Sequence, residues 1–151
     1  MMDSTATQSK KYYDALEIAI AAHYNQLDKG GNPYILHPIF VASCMTTVNE
    51  KIVALLHDVL EDTTFPKDYL EKTFDKEIID ALELLARDKS MPYEEYIKRL
   101  APNQIARKVK IADLINNMDV RRLKKLQNKD LVRLRKYHKA WRYLTTYGDK
   151  K

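Results

Sequence analysis

The sequence predicts an all-α domain. Three observations point there. Only three glycines and five prolines interrupt 151 residues. The apolar residues recur at three- and four-residue intervals rather than in alternation. Good helix formers, Leu, Ala, Lys and Glu, dominate the composition. The length suits one domain with a single core, taken as residues 1–151. A hydrophobic fraction of 45% with 31% charged residues excludes a disordered chain. No apolar run reaches the length of a bilayer span, and the N-terminus "MMDSTATQSKKYYD" lacks the apolar core of a secretion signal. The single cysteine, Cys44, excludes an internal disulfide. A cytoplasmic protein with no membrane partner is expected.

Seven or eight helices follow in order. "SKKYYDALEIAIAAHYNQL" carries Leu16, Ala19 and Ile20 at helical spacing, and "DKGGNP" (28–33) breaks it with two adjacent glycines. A second helix is expected from Pro38 through Val48. "EKIVALLHDVLEDTT" (50–64) reads as one continuous third helix. "PKDYLEKTF" is a short helix with Pro66 in a compatible first-turn position. "DKEIIDALELLARD", "MPYEEYIKRLA" and "NQIARKVKIADLINNMDV" follow. The last helix, "KDLVRLRKYHKAWRYLTTYG", places Leu131, Leu134, Tyr137, Trp141 and Leu144 on one stripe, and Gly148 stops it.

Charge is unevenly spread. Residues 121–151 hold 12 Lys/Arg against 2 Asp/Glu, a net of +10, which leaves −5 for residues 1–120. A basic C-terminal segment on an acidic body suits an anionic partner, or a merely solvated helix face.

The third helix poses the chemical question. His57, Asp58, Glu61 and Asp62 stand beside the apolar run "IVALL", and burying them unpaired would cost several kcal/mol. Imidazole nitrogen and carboxylate oxygen together suit Mn²⁺, Fe²⁺ or Zn²⁺. On a continuous helix Glu61 and Asp62 return one turn later to the side of His57 and Asp58. His37 in "YILHPIF" and Asp113 in "KVKIADLINN" would complete two nitrogens and two oxygens, leaving positions for water and substrate. Taken singly, each has a plainer reading, as a core histidine or a helix cap.

The stretches "AHYNQLDKGGNPYILHPIFVA" (21–42), "ALLHDVLEDTT" (54–64) and "ARKVKIADLINNMD" (106–119), taken together, resemble the HD-domain phosphohydrolases. The match is to the alarmone (ppGpp) hydrolase domain of RelA/SpoT proteins and its free-standing small relatives, from about residue 12 to 147. The resemblance implies an HD-type helical bundle and hydrolysis of the 3′-pyrophosphate of (p)ppGpp to GDP or GTP plus pyrophosphate. It implies that His37, His57, Asp58 and Asp113 bind Mn²⁺ or another divalent transition metal, and that Glu61 and Asp62 orient or activate the attacking water. It places Lys29, Asn117 and Tyr137 against the nucleotide substrate. His23 is expected to pack or support rather than ligate.

The sequence departs from the family at Asp28 and Asp119, carboxylates where the family carries basic side chains. Lys110, Arg121 and Arg122 are the candidates to replace that charge. The departures leave room for the same chemistry on another phosphorylated nucleotide, such as NADPH, which a metazoan branch of the family accepts. A non-catalytic, nucleic-acid-binding helical module is the third reading, disfavoured by the complete ligand set. A homodimer is a candidate assembly.

Overall fold

The computed structural model describes residues 3–149, and every helix or strand assigned among them is helical. The elements are α1 (Ser4–Ala22), α2 (Leu36–Ser43), α3 (Val48–Leu56), α4 (Val59–Asp62), α5 (Lys67–Thr73), α6 (Lys76–Leu85), α7 (Tyr93–Leu100), α8 (Gln104–Asn117) and α9 (Asn128–Thr145). A 3₁₀ turn, Val120–Arg122, precedes α9. No helix among the described residues is long and apolar enough to cross a membrane.

α3 is the axis of the bundle. Thr47 caps it in a reciprocal box with Glu50, whose carboxylate also accepts from the amides of Thr46 and Thr47. Beyond that cap the helix is apolar all round, and Ile52, Val53, Ala54, Leu55 and Leu56 are all buried. α1, α2, α6 and α8 pack around it, and α9 closes over α8 and α7. Truncating Leu55 or Leu56 to Ala in such a position costs about 2–5 kcal/mol.

The capping box also corrects the second helix. It ends at Ser43 rather than Val48, because Thr47 and Glu50 already start α3. Pro66 stands as the cap before α5 rather than inside its first turn. In α9, Leu131 lies outside the buried stripe at 40% exposure, and Ala140 with Leu144 takes the core side.

The largest departure falls within 50–62. The expected continuous helix is two among the described residues, α3 and the single turn α4. No Pro or Gly breaks it. His57 instead donates Nδ1–H to the Ala54 carbonyl at 2.6 Å. A continuing helix would give that carbonyl to the amide of Asp58. Asp58 then sits at φ −99°, ψ −4°, and α4 restarts beyond it.

Candidate active site

Three elements bring the ligand candidates together: the first turn of α2, the α3–α4 break and the middle of α8. His37, His57 and Asp113 are buried, each at 6% exposure or less. Their ligand atoms lie within 4.8 Å of one another. His37 Nε2 is 2.9 Å from Asp113 Oδ1, and His57 Nε2 is 3.6 Å from the same oxygen. Asp58 Oδ2 faces both imidazoles, 3.1 Å from His57 Nε2 and 3.8 Å from His37 Nε2. The break in the helix is what lets the adjacent residues His57 and Asp58 face one point.

These donors fit a divalent cation. A carbonyl can only accept, so the Ala54 bond fixes the His57 proton on Nδ1 and leaves Nε2 as a lone pair. That Nε2 is buried and has no hydrogen-bond partner. His37 is oriented in the same manner by Asn116, with Nδ1 2.6 Å from the amide oxygen. The surrounding carboxylates draw positive charge to His57 Nε2, whether a second proton or a cation. Burial opposes charge on His57, yet the neighbouring Asp58 and Asp113 outweigh it and hold the imidazole well above its usual value. Burial would likewise raise Asp58, but His57 holds its carboxyl down to about 2. A site this demanding of positive charge suits an ion with two imidazole and two carboxylate donors.

Supporting groups from the same sequence stretches surround the donors. The Tyr34 hydroxyl donates to Asp58 Oδ2, and its ring lies 4.9 Å from His23 and 5.7 Å from His37. His23 is buried and bonded to Gln26 at 2.8 Å, a packing and supporting position rather than a ligand position. Lys110 pairs with Asp113 Oδ2 at 2.7 Å. Burial disfavours both charges, but each holds the other ionised.

A cavity of about 400 Å³ opens above these donors. Glu61 and Asp62 line it, on the single turn α4. Burial raises both carboxyls above their usual values; Asp62 and Asp58 push Glu61 further, and Asp58 does the same to Asp62. Lys29, Asn117 and Tyr137 line the same cavity, as do His37, Asp58 and Asp113, while His57 is not among the lining residues. Asn117 is already engaged, donating to Asp113 Oδ1 at 2.7 Å.

The two unusual acids are absorbed by local structure. Asp28 Oδ1 accepts from the amides of Gly30 and Asn32 at 2.8 and 2.9 Å, folding the loop that carries Lys29. In that loop a Cβ on Gly30 would stand 2.9 Å from the Arg122 carbonyl, so only glycine lets the two backbones meet. Asp119 caps the 3₁₀ turn and grips Arg121 through two bonds of 2.9 and 2.8 Å. Arg121 is therefore no replacement charge for the site: it is paired with Asp119 and is not among the residues lining the cavity. Arg122 and Lys110 do line it.

No family model matches the chain. The guanosine-3′,5′-bis(diphosphate) 3′-pyrophosphohydrolase MESH1 of Homo sapiens is 33% identical over 126 residues, which cover 74% of this chain and 70% of that protein. The MESH1 protein of Drosophila melanogaster is 31% identical over 124 residues, 73% of this chain and 69% of that one. A pyrophosphohydrolase of the same name from Borreliella burgdorferi is 42% identical over 80 residues, but the match spans only 12% of its length. A solved structure, described as a metazoan ortholog of SpoT that hydrolyzes ppGpp, superposes with a TM-score of 0.70 at 24% identity, over 87% of this chain and 83% of that one. With this fold and these relatives over most of its length, the chain belongs to the SpoT/MESH1-type (p)ppGpp 3′-pyrophosphohydrolase family of HD domains.

Proposed function

We propose that the protein is a metal-dependent hydrolase that removes the 3′-pyrophosphate of (p)ppGpp, giving GDP or GTP and pyrophosphate. The observation that carries this is the convergence of two imidazole Nε2 atoms, Asp58 Oδ2 and Asp113 Oδ1 below a cavity walled by Glu61 and Asp62. His37, His57, Asp58 and Asp113 would hold the ion, Mn²⁺ or another divalent transition metal. When bound, such an ion polarises a phosphoryl oxygen and eases deprotonation of water.

The chain's own residues divide the remaining work. Ala54 and Asn116 fix the two imidazoles, Tyr34 fixes Asp58, and Lys110 with Asn117 fixes Asp113. Glu61 and Asp62 orient the attacking water and take its proton. Their raised affinity for protons matches that task better than an ordinary carboxyl would. The bond between the 3′ oxygen and its phosphorus breaks as water adds to that phosphorus. Lys29 supplies charge to the phosphates, and Tyr137 supplies an aromatic face to the nucleotide.

The second reading keeps the metal chemistry and changes the nucleotide. Asp28 motivates it, because it borders the cavity where the family resemblance places a basic side chain. A panel of ppGpp, pppGpp, NADPH and nucleoside monophosphates, assayed with Mn²⁺, separates the two readings. Rapid release of pyrophosphate from ppGpp or pppGpp supports the first. Phosphate release from NADPH or a monophosphate alone transfers the chemistry to the second. A nucleic-acid-binding module would bind with steep salt dependence and indifference to metal.

A further inference from the structure

The hydrolytic site uses only part of the positive charge gathered in residues 121–151. Arg122, Arg133 and Lys136 line the cavity. Lys124, Lys125, Lys129 and Arg135 do not, and all four are exposed. Elsewhere on the surface, lysines are answered by carboxylates one helical turn away, as in Lys10–Asp14, Lys72–Asp68, Lys76–Asp80 and Lys98–Glu94. The ion pairs made by cations between 121 and 149 belong to Arg121, Arg133 and Lys139, and among the described residues none belongs to these four. The sequence offers one carboxylate between 120 and 148, Asp130. It is buried, accepting from the Gln127 amide at 2.9 Å and from Arg133 at 2.8 Å, so it leaves the outer charge unanswered.

The same stretch exposes aliphatic side chains. Leu126 is 48% exposed, Leu131 40% and Val132 68%. Leu131 and Val132 stand four and three residues before Arg135, and Lys129 three before Val132, so the helix turns them to neighbouring positions. Lys124, Lys125 and Leu126 lie in the loop that leads into it. The core side of α9 is elsewhere, at Ala140 and Leu144, and its cavity side is at Arg133 and Tyr137. Aliphatic groups interleaved with unpaired cations fit the boundary between lipid headgroups and acyl chains. The cations meet anionic headgroups, the aliphatics enter the apolar layer beneath, and the lysine stems lie along it. Nucleic acid fits less well, because residues 124–135 carry no aromatic ring on which a base could stack.

We infer that the loop before α9 and the first two turns of α9 form an interfacial docking surface for an anionic lipid membrane. Lys124, Lys125, Lys129 and Arg135 lie on the headgroups, and Leu126, Leu131 and Val132 enter the layer beneath. No helix among the described residues is long and apolar enough to cross a bilayer, so the attachment is peripheral and reversible. None of these seven residues lines the catalytic cavity, so the docking stands apart from the hydrolase reading. What it adds is a location, a membrane surface bearing negative charge, at which the cavity does its work.

The test sediments the full chain with vesicles of phosphatidylcholine alone, and with vesicles of phosphatidylcholine and phosphatidylglycerol in equal parts. Binding is expected to the mixed vesicles only, and it should weaken as salt is raised. Lys124→Gln combined with Lys125→Gln should lose about twentyfold in affinity, because each basic residue near an anionic surface contributes about fivefold. Val132→Ser keeps the charge and should still lose about fivefold. A control pair, Lys72→Gln with Lys76→Gln, removes the same charge from α5 and α6 and should leave binding unmoved. Each variant is checked for an unchanged circular dichroism melt, and a labelled single-stranded RNA is titrated in parallel. Failure to bind the mixed vesicles, equal binding to both kinds, or an equal loss from the control pair would overturn the surface. Vesicle affinity that ignores Val132→Ser would overturn the interfacial seating. RNA bound in place of vesicles would overturn the membrane in favour of nucleic acid.

Discussion

On the floor of the cavity nearly every charge is answered. Lys110 meets Asp113 at 2.7 Å, Asp58 takes a hydrogen bond from Tyr34, and the imidazole Nδ1 atoms of His37 and His57 are tied to Asn116 and Ala54. On the outer wall, Arg87 and Lys136 share a tyrosine ring, and among the described residues neither side chain makes an ion pair, although Arg87 Nη2 donates to the Met91 carbonyl at 3.1 Å. The floor has fixed its geometry with protein partners and leaves lone pairs for a cation. The wall leaves donors for an anion. The contrast teaches that the two ends of one cavity expect opposite charges, which is the electrostatic outline of a metal site with a phosphorylated ligand above it.

Changes to the floor should have the largest effects. Asp113→Ala leaves Lys110 buried without its partner and removes one oxygen ligand. Breaking a buried pair on one side costs about 3–5 kcal/mol, so the melt should fall steeply and activity should vanish. A melt unchanged by this variant would show that Asp113 is not integral to the floor. Next in size, Glu61→Gln should lower kcat by about 10²–10⁴-fold while divalent-ion binding, followed by calorimetry, stays intact. Loss of ion binding would move Glu61 into the ligand set.

Tyr34→Phe removes a hydroxyl from Asp58 without touching a ligand. Loss of a group that orients a ligand typically weakens metal affinity about 10–100-fold. A competition titration with a chelating dye should show that loss with a nearly unchanged melt. An unaltered affinity would reduce Tyr34 to packing.

The smallest effect is a pH dependence. The Glu61 and Asp62 carboxyls hold their protons more tightly in the folded protein than in the unfolded chain, through burial and their acidic neighbours. Their contribution to stability is therefore complete below the ordinary carboxyl pKa and lost as pH rises through the raised one. Activity runs the other way, because a proton acceptor must be ionised, so kcat/KM should climb across that window. Denaturant midpoints and kcat/KM measured in parallel should cross in this sense, and Glu61→Gln should flatten the stability profile. Profiles that rise together would contradict the assignment.

The helices and the buried His37, His57 and Asp113 group were legible because their signals are local. His37, His57, Asp58 and Asp113 sit in short motifs inside apolar runs, and burial of such groups demands compensation. The break at His57 was not legible, since it comes from a side chain taking the Ala54 carbonyl rather than from Pro or Gly. The caps Thr47 and Glu50 were readable as a start signal and correct the end of α2. Arg87, Tyr93 and Lys136 lie on a loop and two helices spread over fifty residues, so only the tertiary structure brings them together. Asp28 and Asp119 show the converse: their charge looked functional in the sequence, while loop amides and Arg121 absorb it.

The central claim is tested most directly by incubating the protein with ppGpp and Mn²⁺ and measuring pyrophosphate and GDP, with EDTA and Asp58→Ala as controls. The account predicts equimolar pyrophosphate and GDP, abolished by either control. Intact ppGpp in the presence of bound metal, or release that survives both controls, would contradict it.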